Sequence, residues 1–411
     1  MNGSDTPEHC LDCGAEIPAG AKECPTCAAR GVGSPSRQTA VLLSLLLLSA
    51  LFVVTGFATR AFHYHEEQVA EEWLRRGEAE LAAGHTNEAI DALRNSLVYS
   101  KDNREAQLRL AQTLAAAGRN DEARIYLRTL WESEPGNAAV NLELARLAVR
   151  DGDVSEALRY YHGSIYGVWD SHVLERRRET RLELIQYLSS RGLRQQALAE
   201  TLALAASLPP DPKLETMAGN LFFQQGVYNR ALVQFKEALR LDPHDEKALA
   251  GAGRASFELG NFADAQRYLR QAVRAAPHDQ EAANLLALSA SVLELDPYAA
   301  GLSADARAQR VLRAFALAQQ RLTACTPPAT DARAPQLAVL AARLAAMKPQ
   351  ATQNALRRDM DLFDSTAALA FEVESAAAPV CGPGSVDDQA LALIARVRAA
   401  TASGIIPGGG L

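Results

Sequence analysis

Two stretches, 228-YNRALVQFKEALRLDP-243 and 262-FADAQRYLRQAVRAAP-277, decide the fold. They begin 34 residues apart, and each has an alanine at its fourth position, a large apolar residue four later and a proline at its end. Apolar positions three and four apart lie on one face of a helix, and proline stops the helix. Followed outward, the alanine recurs at Ala89, Ala123, Ala157, Ala197, Ala231 and Ala265, with steps of 34, 34, 40, 34 and 34. A second series of small residues runs through Gly77, Ala111, Ala145, Gly219, Gly253 and Ala287. Thr201 breaks the large-residue series, and Trp169 stands where a proline is expected.

A fixed period of this length marks a repeat architecture in which no single unit buries its own apolar face. Each unit reads as two helices. A small residue on helix A meets the alanine of helix B, and glycines such as Gly226 and Gly260 make the turn between them. The pattern resembles the tetratricopeptide repeat family. The resemblance places repeats at 70–103, 104–137, 138–171, 178–211, 212–245 and 246–279, with a solvating cap helix at 280–296. It implies an all-α solenoid whose groove binds a protein or a peptide.

Positions 2, 5, 9 and 12 of each helix A share one face. Near the start of the array this face carries Glu71, Leu74, Glu78, Glu105, Leu108 and Gln112. In repeats five and six it carries Lys213, Thr216, Asn220, Phe223, Lys247, Ala250, Arg254 and Phe257. The expected groove therefore passes from acidic to basic and aromatic. The candidate partner residues are Lys213, Asn220, Phe223, Lys247, Arg254 and Phe257; the other reading is a solvated charged face. In residue types, though not in positions, the set resembles the carboxylate-clamp class of these repeats.

Ahead of the array, 8-EHCLDCGAEIPAGAKECPTCAAR-30 holds Cys10, Cys13, Cys24 and Cys27 as two Cys-x-x-Cys pairs. Four thiolates on two short knuckles suit one tetrahedral structural zinc, with no open position for catalysis. A thiol redox centre and two disulfides are the other readings. Gly14 falls where a knuckle needs positive φ. The stretch resembles the zinc-ribbon minidomains at the N-termini of many bacterial membrane proteins, and the resemblance implies that all four cysteines bind Zn2+. Residues 1–37 then form the ribbon and a linker.

Residues 38–59 carry no charge. As a helix they span about 33 Å, enough to cross a bilayer. A cleaved signal peptide would have a shorter apolar core and a shorter lead. A retained anchor is expected, followed by a juxtamembrane linker at 60–69. Lys22, Arg30 and Arg37 precede the span, and Glu66, Glu67, Glu71 and Glu72 follow it. The positive-inside rule and the need for reduced thiolates both place the N-terminus in the cytoplasm and the repeats outside, at a bacterial inner membrane. His63 and His65, around Tyr64, read as an interfacial belt rather than a metal site.

Residues 297–403 lose the period and read as a helical domain, with helices at 304–323, 336–348, 352–376 and 387–400; the tail 404–411 is expected to be disordered. Cys325 and Cys381, on the oxidising side, are a candidate disulfide closing a loop of about 56 residues, worth about 3–4 kcal/mol. Two buried free thiols are the alternative.

No phosphate loop, dinucleotide fingerprint, His-Glu-x-x-His or Gly-x-Ser-x-Gly motif occurs, so no enzyme and no small-molecule substrate are expected. A net charge of −7 argues against nucleic acid. The expected role is a membrane-anchored scaffold for a protein or peptide partner, held in the lipid bilayer by 38–59. The alternative is a transmembrane sensory or regulatory protein with the zinc ribbon as cytoplasmic effector.

Overall fold

The computed structural model describes residues 8–29, 37–325 and 333–402. The tail 404–411 and Arg30 fall outside these residues. The chain divides into two compact units, Met1–Gly163 and Ser164–Leu411, taken separately below.

In the first unit, strands β1 (Glu8–His9) and β2 (Glu16–Ile17) pair antiparallel, and helix α1 (Pro25–Ala29) follows. Helix α2 runs without a break from Arg37 to Ala82. Five helices come after it: α3 (Thr86–Tyr99), α4 (Arg104–Ala116), α5 (Asn120–Ser133), α6 (Ala138–Asp151) and α7 (Val154–Tyr166), the last carrying the unit boundary. The end of α2 pairs with α3, and α4 with α5, as helical hairpins.

Among the described residues, one helix is long and apolar enough to cross a membrane: the apolar part of α2, with a mean hydropathy of 2.5 over its most apolar 18 residues, none of them buried. Residues 60–69, expected to be a linker, are helical instead. Neither glycine nor proline occurs between Gly56 and Gly77, and Glu, Gln, Ala and Arg there favour helix. Burial begins at Ala70 and Leu74, where α2 becomes helix A of the first hairpin.

The second unit holds α8 (Val173–Ser190), α9 (Arg194–Ala205), α10 (Pro212–Gln224), α11 (Tyr228–Leu241), α12 (Glu246–Glu258), α13 (Phe262–Ala275) and α14 (Gln280–Leu295). Hairpins form between α8 and α9, α10 and α11, and α12 and α13. The alanine series is buried throughout, Ala231 and Ala265 completely. Helix A touches helix B at glycine: a Cβ on Gly253 would stand 2.6 Å from Leu269 Cγ, and one on Gly219 would stand 2.7 Å from the Phe235 ring. The A helices are capped by acids one period apart, with Asp211, Asp245 and Asp279 each accepting a backbone N–H from the first turn.

Both breaks in the repeat have local causes within this unit. Trp169 is buried and its indole N–H donates to the Ser164 carbonyl at 3.1 Å, so the six extra residues wrap an aromatic instead of ending at proline. Thr201 is fully buried, donates to the Ala197 carbonyl and accepts from Gln225 at 2.7 Å. A polar contact there takes the place of the large apolar side chain.

Beyond α14, the helices are α15 (Ala304–Ala324), α16 (Ala334–Met347), α17 (Gln353–Arg358), α18 (Met360–Cys381) and α19 (Val386–Ala402). The stretch 352–376, read as one helix, is two: Asp359 leaves helical geometry and its carboxylate caps Leu362 N–H. Helix α18 also continues through Pro379 to Cys381, further than expected. Val292, Leu295, Val311, Phe315, Leu340, Phe363, Leu369 and Leu391 belong to one core that joins α14 to this region. A disulfide links Cys325 and Cys381, whose Cα atoms lie 5.7 Å apart. One turn before Cys325, Arg321 reaches the Gly382 carbonyl and lies 3.6 Å from the buried Glu374. Burial, with Asp388 behind it, pushes the Glu374 carboxyl up to about 8 despite Arg321.

Candidate metal centre and partner-binding face

The four N-terminal cysteines converge because each pair sits on its own turn. The β1–β2 connection turns through Gly14 at φ 72°, with Gly14 N–H donating to Cys10 and Cys10 N–H donating to Ala15. The second pair stands at the start of α1. All four sulfurs lie within 4.8 Å of one another. Cys10 Sγ and Cys27 Sγ are 3.9 Å apart, and Cys13 Sγ and Cys24 Sγ are 3.5 Å apart. A tetrahedral site with metal–sulfur bonds of about 2.3 Å has edges of about 3.8 Å. These sulfurs could hold a metal ion, and none of the four is in a disulfide. His9, on β1, is outside the cluster.

The electrostatics point the same way. The backbone N–H of Cys27, helped by the Cys13 thiol and Thr26 N–H, brings Cys24 down to about 6. The Cys13 and Cys10 thiols push Cys27 up to about 12. The protein thus favours the Cys24 thiolate by itself, while the Cys27 thiol stays protonated unless a bound cation draws off its proton.

The face of α10 and α12 is only partly as expected. Lys213 and Lys247 are exposed, each two residues after the capping Asp211 or Asp245, and among the described residues neither makes an ion pair. Asn220 is half-buried. Thr216 and Ala250 are buried, and Thr216 donates to Asp245 at 3.2 Å. Arg254 is engaged within the protein: it pairs with Glu281 at 3.2 Å and lies 5.7 Å over the Phe223 ring. Phe223 and Phe257 are half-buried, and each stacks on the first residue of the following helix B. Phe223 meets Tyr228 at 5.2 Å, and Phe257 meets Phe262 at 5.4 Å.

The acidic half is milder than its sequence. Glu78 pairs with Arg109 at 3.3 Å, Leu74 is buried, and Gln112 donates to Glu143. Tyr228 and Phe262 were not among the candidates, although the period that links Phe223 to Phe257 also links them.

Residues 80–134 and 222–288 match the tetratricopeptide repeat family model. Among solved structures, the chain is 16% identical to YrrB, a tetratricopeptide repeat protein with an unusual peptide-binding site, covering 47% of this chain and 97% of that one at a TM-score of 0.36. With PilW, a type IV pilus biogenesis factor, identity is 18%, coverage 53% and 99%, and the TM-score 0.36. With the C-terminal part of a repeat-containing protein from Cytophaga hutchinsonii the values are 16%, 58%, 94% and 0.42. No curated protein matches the sequence. Tetratricopeptide repeat hairpins therefore make up matched segments in both units of an all-α chain.

Proposed function

We propose that the chain is a membrane-tethered tetratricopeptide scaffold. Residues 38–59 cross the bacterial inner membrane, a zinc ribbon at Cys10, Cys13, Cys24 and Cys27 stands in the cytoplasm, and the repeats bind a protein or peptide partner outside it. The observation that carries this reading is the continuity of α2, whose apolar, unburied part runs directly into the first repeat hairpin. The allocation of cysteines supports the sidedness: four unbridged thiols precede the span, and a disulfide follows it. The ion at the headpiece is a structural Zn2+, because four sulfur ligands close its coordination. Alkaline phosphatase fused after Leu295 should be active, and a fusion at Arg37 inactive; the reverse pattern overturns the topology.

The partner face is that of repeats five and six, where Lys213 and Lys247 are the available cations and Asn220, Phe223 and Phe257 flank them. Arg254 holds Phe223 and Glu281 in place. A partner captured on the fragment 61–411 and identified by mass spectrometry should be lost on Lys213→Glu plus Lys247→Glu. Unchanged capture by that variant returns this face to a solvated surface.

A further inference from the structure

Phe257 ends the face just described and also forms one wall of a cavity. This cavity of about 300 Å³ lies between Tyr228, Phe257 and Phe262 on the repeats and Leu393, Val397 and Ala400 on α19, with Glu258 and Arg396 also in its lining. The C-terminal region thus completes a hollow that the repeats begin. Its size is at the small end of ligand cavities, with room for one large side chain. Phe257 and Phe262 hold each other edge to face, so the aromatic wall is pre-formed and costs little to order on binding.

We propose that the partner of repeats five and six is an extended peptide with two contacts at a set spacing. An aromatic or branched apolar side chain enters the cavity under α19, and an acidic residue four to five positions away meets Lys247. This rests on the reading of that face as the partner site, and adds to it the motif the partner must carry.

The charges set the two ends. The lining carries one charge of each sign, Glu258 and Arg396, so an acid gains no net attraction there. Arg254, midway along α12, is paired with Glu281. Lys247 is exposed and makes no ion pair among the described residues. Phe257 lies ten helical steps beyond Lys247, a rise of about 15 Å. An extended peptide covers that distance in about four to five residues. Ala250, small and buried, adds no protruding side chain to the path, and Arg254, which lies along it, is held by Glu281 and over the Phe223 ring.

The test uses the full chain in lipid nanodiscs and labelled peptides, acetylated and amidated, with one Glu and one Phe separated by zero to eight Gly/Ser residues. Affinity should peak with three or four residues between Glu and Phe. Replacing Phe by Gly at the best spacing should weaken binding by about tenfold or more. Val397→Trp, which fills the cavity, should abolish the Phe advantage but keep the Glu dependence; Ala400→Phe, at the rim, provides a second test should Val397→Trp fail to fold. Lys247→Glu should do the opposite. Spacing-independent affinity, no measurable binding of any peptide, or a Phe advantage that survives both filled variants overturns the proposal. If Glu dependence and sensitivity to Lys247→Glu persist in that event, the partner face stands and only the cavity anchor falls. If Lys247→Glu is also silent, the partner face falls as well.

Discussion

The chain uses cysteine in two ways. In the headpiece, four cysteines gather within 4.8 Å on 22 described residues that bury almost nothing but Cys24. In the second unit, Cys325 and Cys381 stand 56 residues apart in sequence and close over a core that already contains Phe315, Leu340, Phe363 and Leu369. The first cluster has no core to support it, so on the proposed reading a bound ion would supply the folding energy. The second has a core, so its bond only adds to it. The two regions should therefore respond oppositely to chelator and to reductant.

The largest effect is expected from the metal. Removing it with a chelator, or with Cys10→Ser plus Cys24→Ser, should erase all structure at 8–29, since structural zinc contributes about 10–16 kcal/mol to such units. Elemental analysis should give one zinc per chain before treatment. Hydrogen exchange should show full loss of protection in the headpiece and none at α12 or α13. A headpiece that stays protected without metal breaks the comparison.

Reduction should act on the other side. Cys325→Ala plus Cys381→Ala should lower the stability of the second unit by about 3–4 kcal/mol, read as a shift in the urea midpoint. The unit should remain folded, because its core does not depend on the bond. Complete unfolding would mean that the second cysteine pair works like the first.

Glycine substitutions sharpen the same contrast at a smaller scale. Gly253→Val pushes side-chain atoms against Leu269, and about 1–3 kcal/mol of overpacking is expected in thermal or urea unfolding. Gly14→Val meets nothing within 4 Å, and its cost should come only from holding φ at 72°, about 1–2 kcal/mol. It should appear as weaker metal affinity rather than a lower midpoint.

The last contrast is read from pH near the disulfide. Glu374 is raised to about 8 by burial first and Asp388 second. It folds protonated, so the folded state holds a proton that the unfolded chain releases above the ordinary carboxylate range. Stability of the second unit should be greatest at acid pH and fall as pH rises from about 4.5 through 8. Glu374→Gln should flatten that slope in melting curves taken across the range. An unchanged slope assigns it to another group.

Much of this was legible because the signals were periodic or local. The alanine and glycine series placed the hairpins, since a residue at a helix–helix contact has to recur once per unit. The Cys-x-x-Cys pairs were legible because each knuckle is built from adjacent residues. The pairing of Arg254 with Glu281 was hidden, because an exposed arginine reads as an available cation until the next helix brings a carboxylate to 3.2 Å. The cavity under α19 was hidden for a stronger reason. Arg396 and Val397 are more than a hundred residues from Phe257, and nothing in an aperiodic helix records which repeat it will cover. The linker at 60–69 was misjudged because a change in polarity is not a change in backbone geometry.

With 38–59 taken as a membrane span, as proposed, that unbroken helix would make the anchor a shaft rather than a tether. An α-helix turns about 100° and rises about 1.5 Å per residue. Inserting one residue between Arg60 and Gln68 would therefore swing the first hairpin about a quarter-turn around the helix axis, with little change in its height. Any tilt that a bilayer imposed on 38–59 would then pass along the same helix to the Ala70 contact. The azimuth of the first hairpin about that axis is thus written in the count of residues along α2.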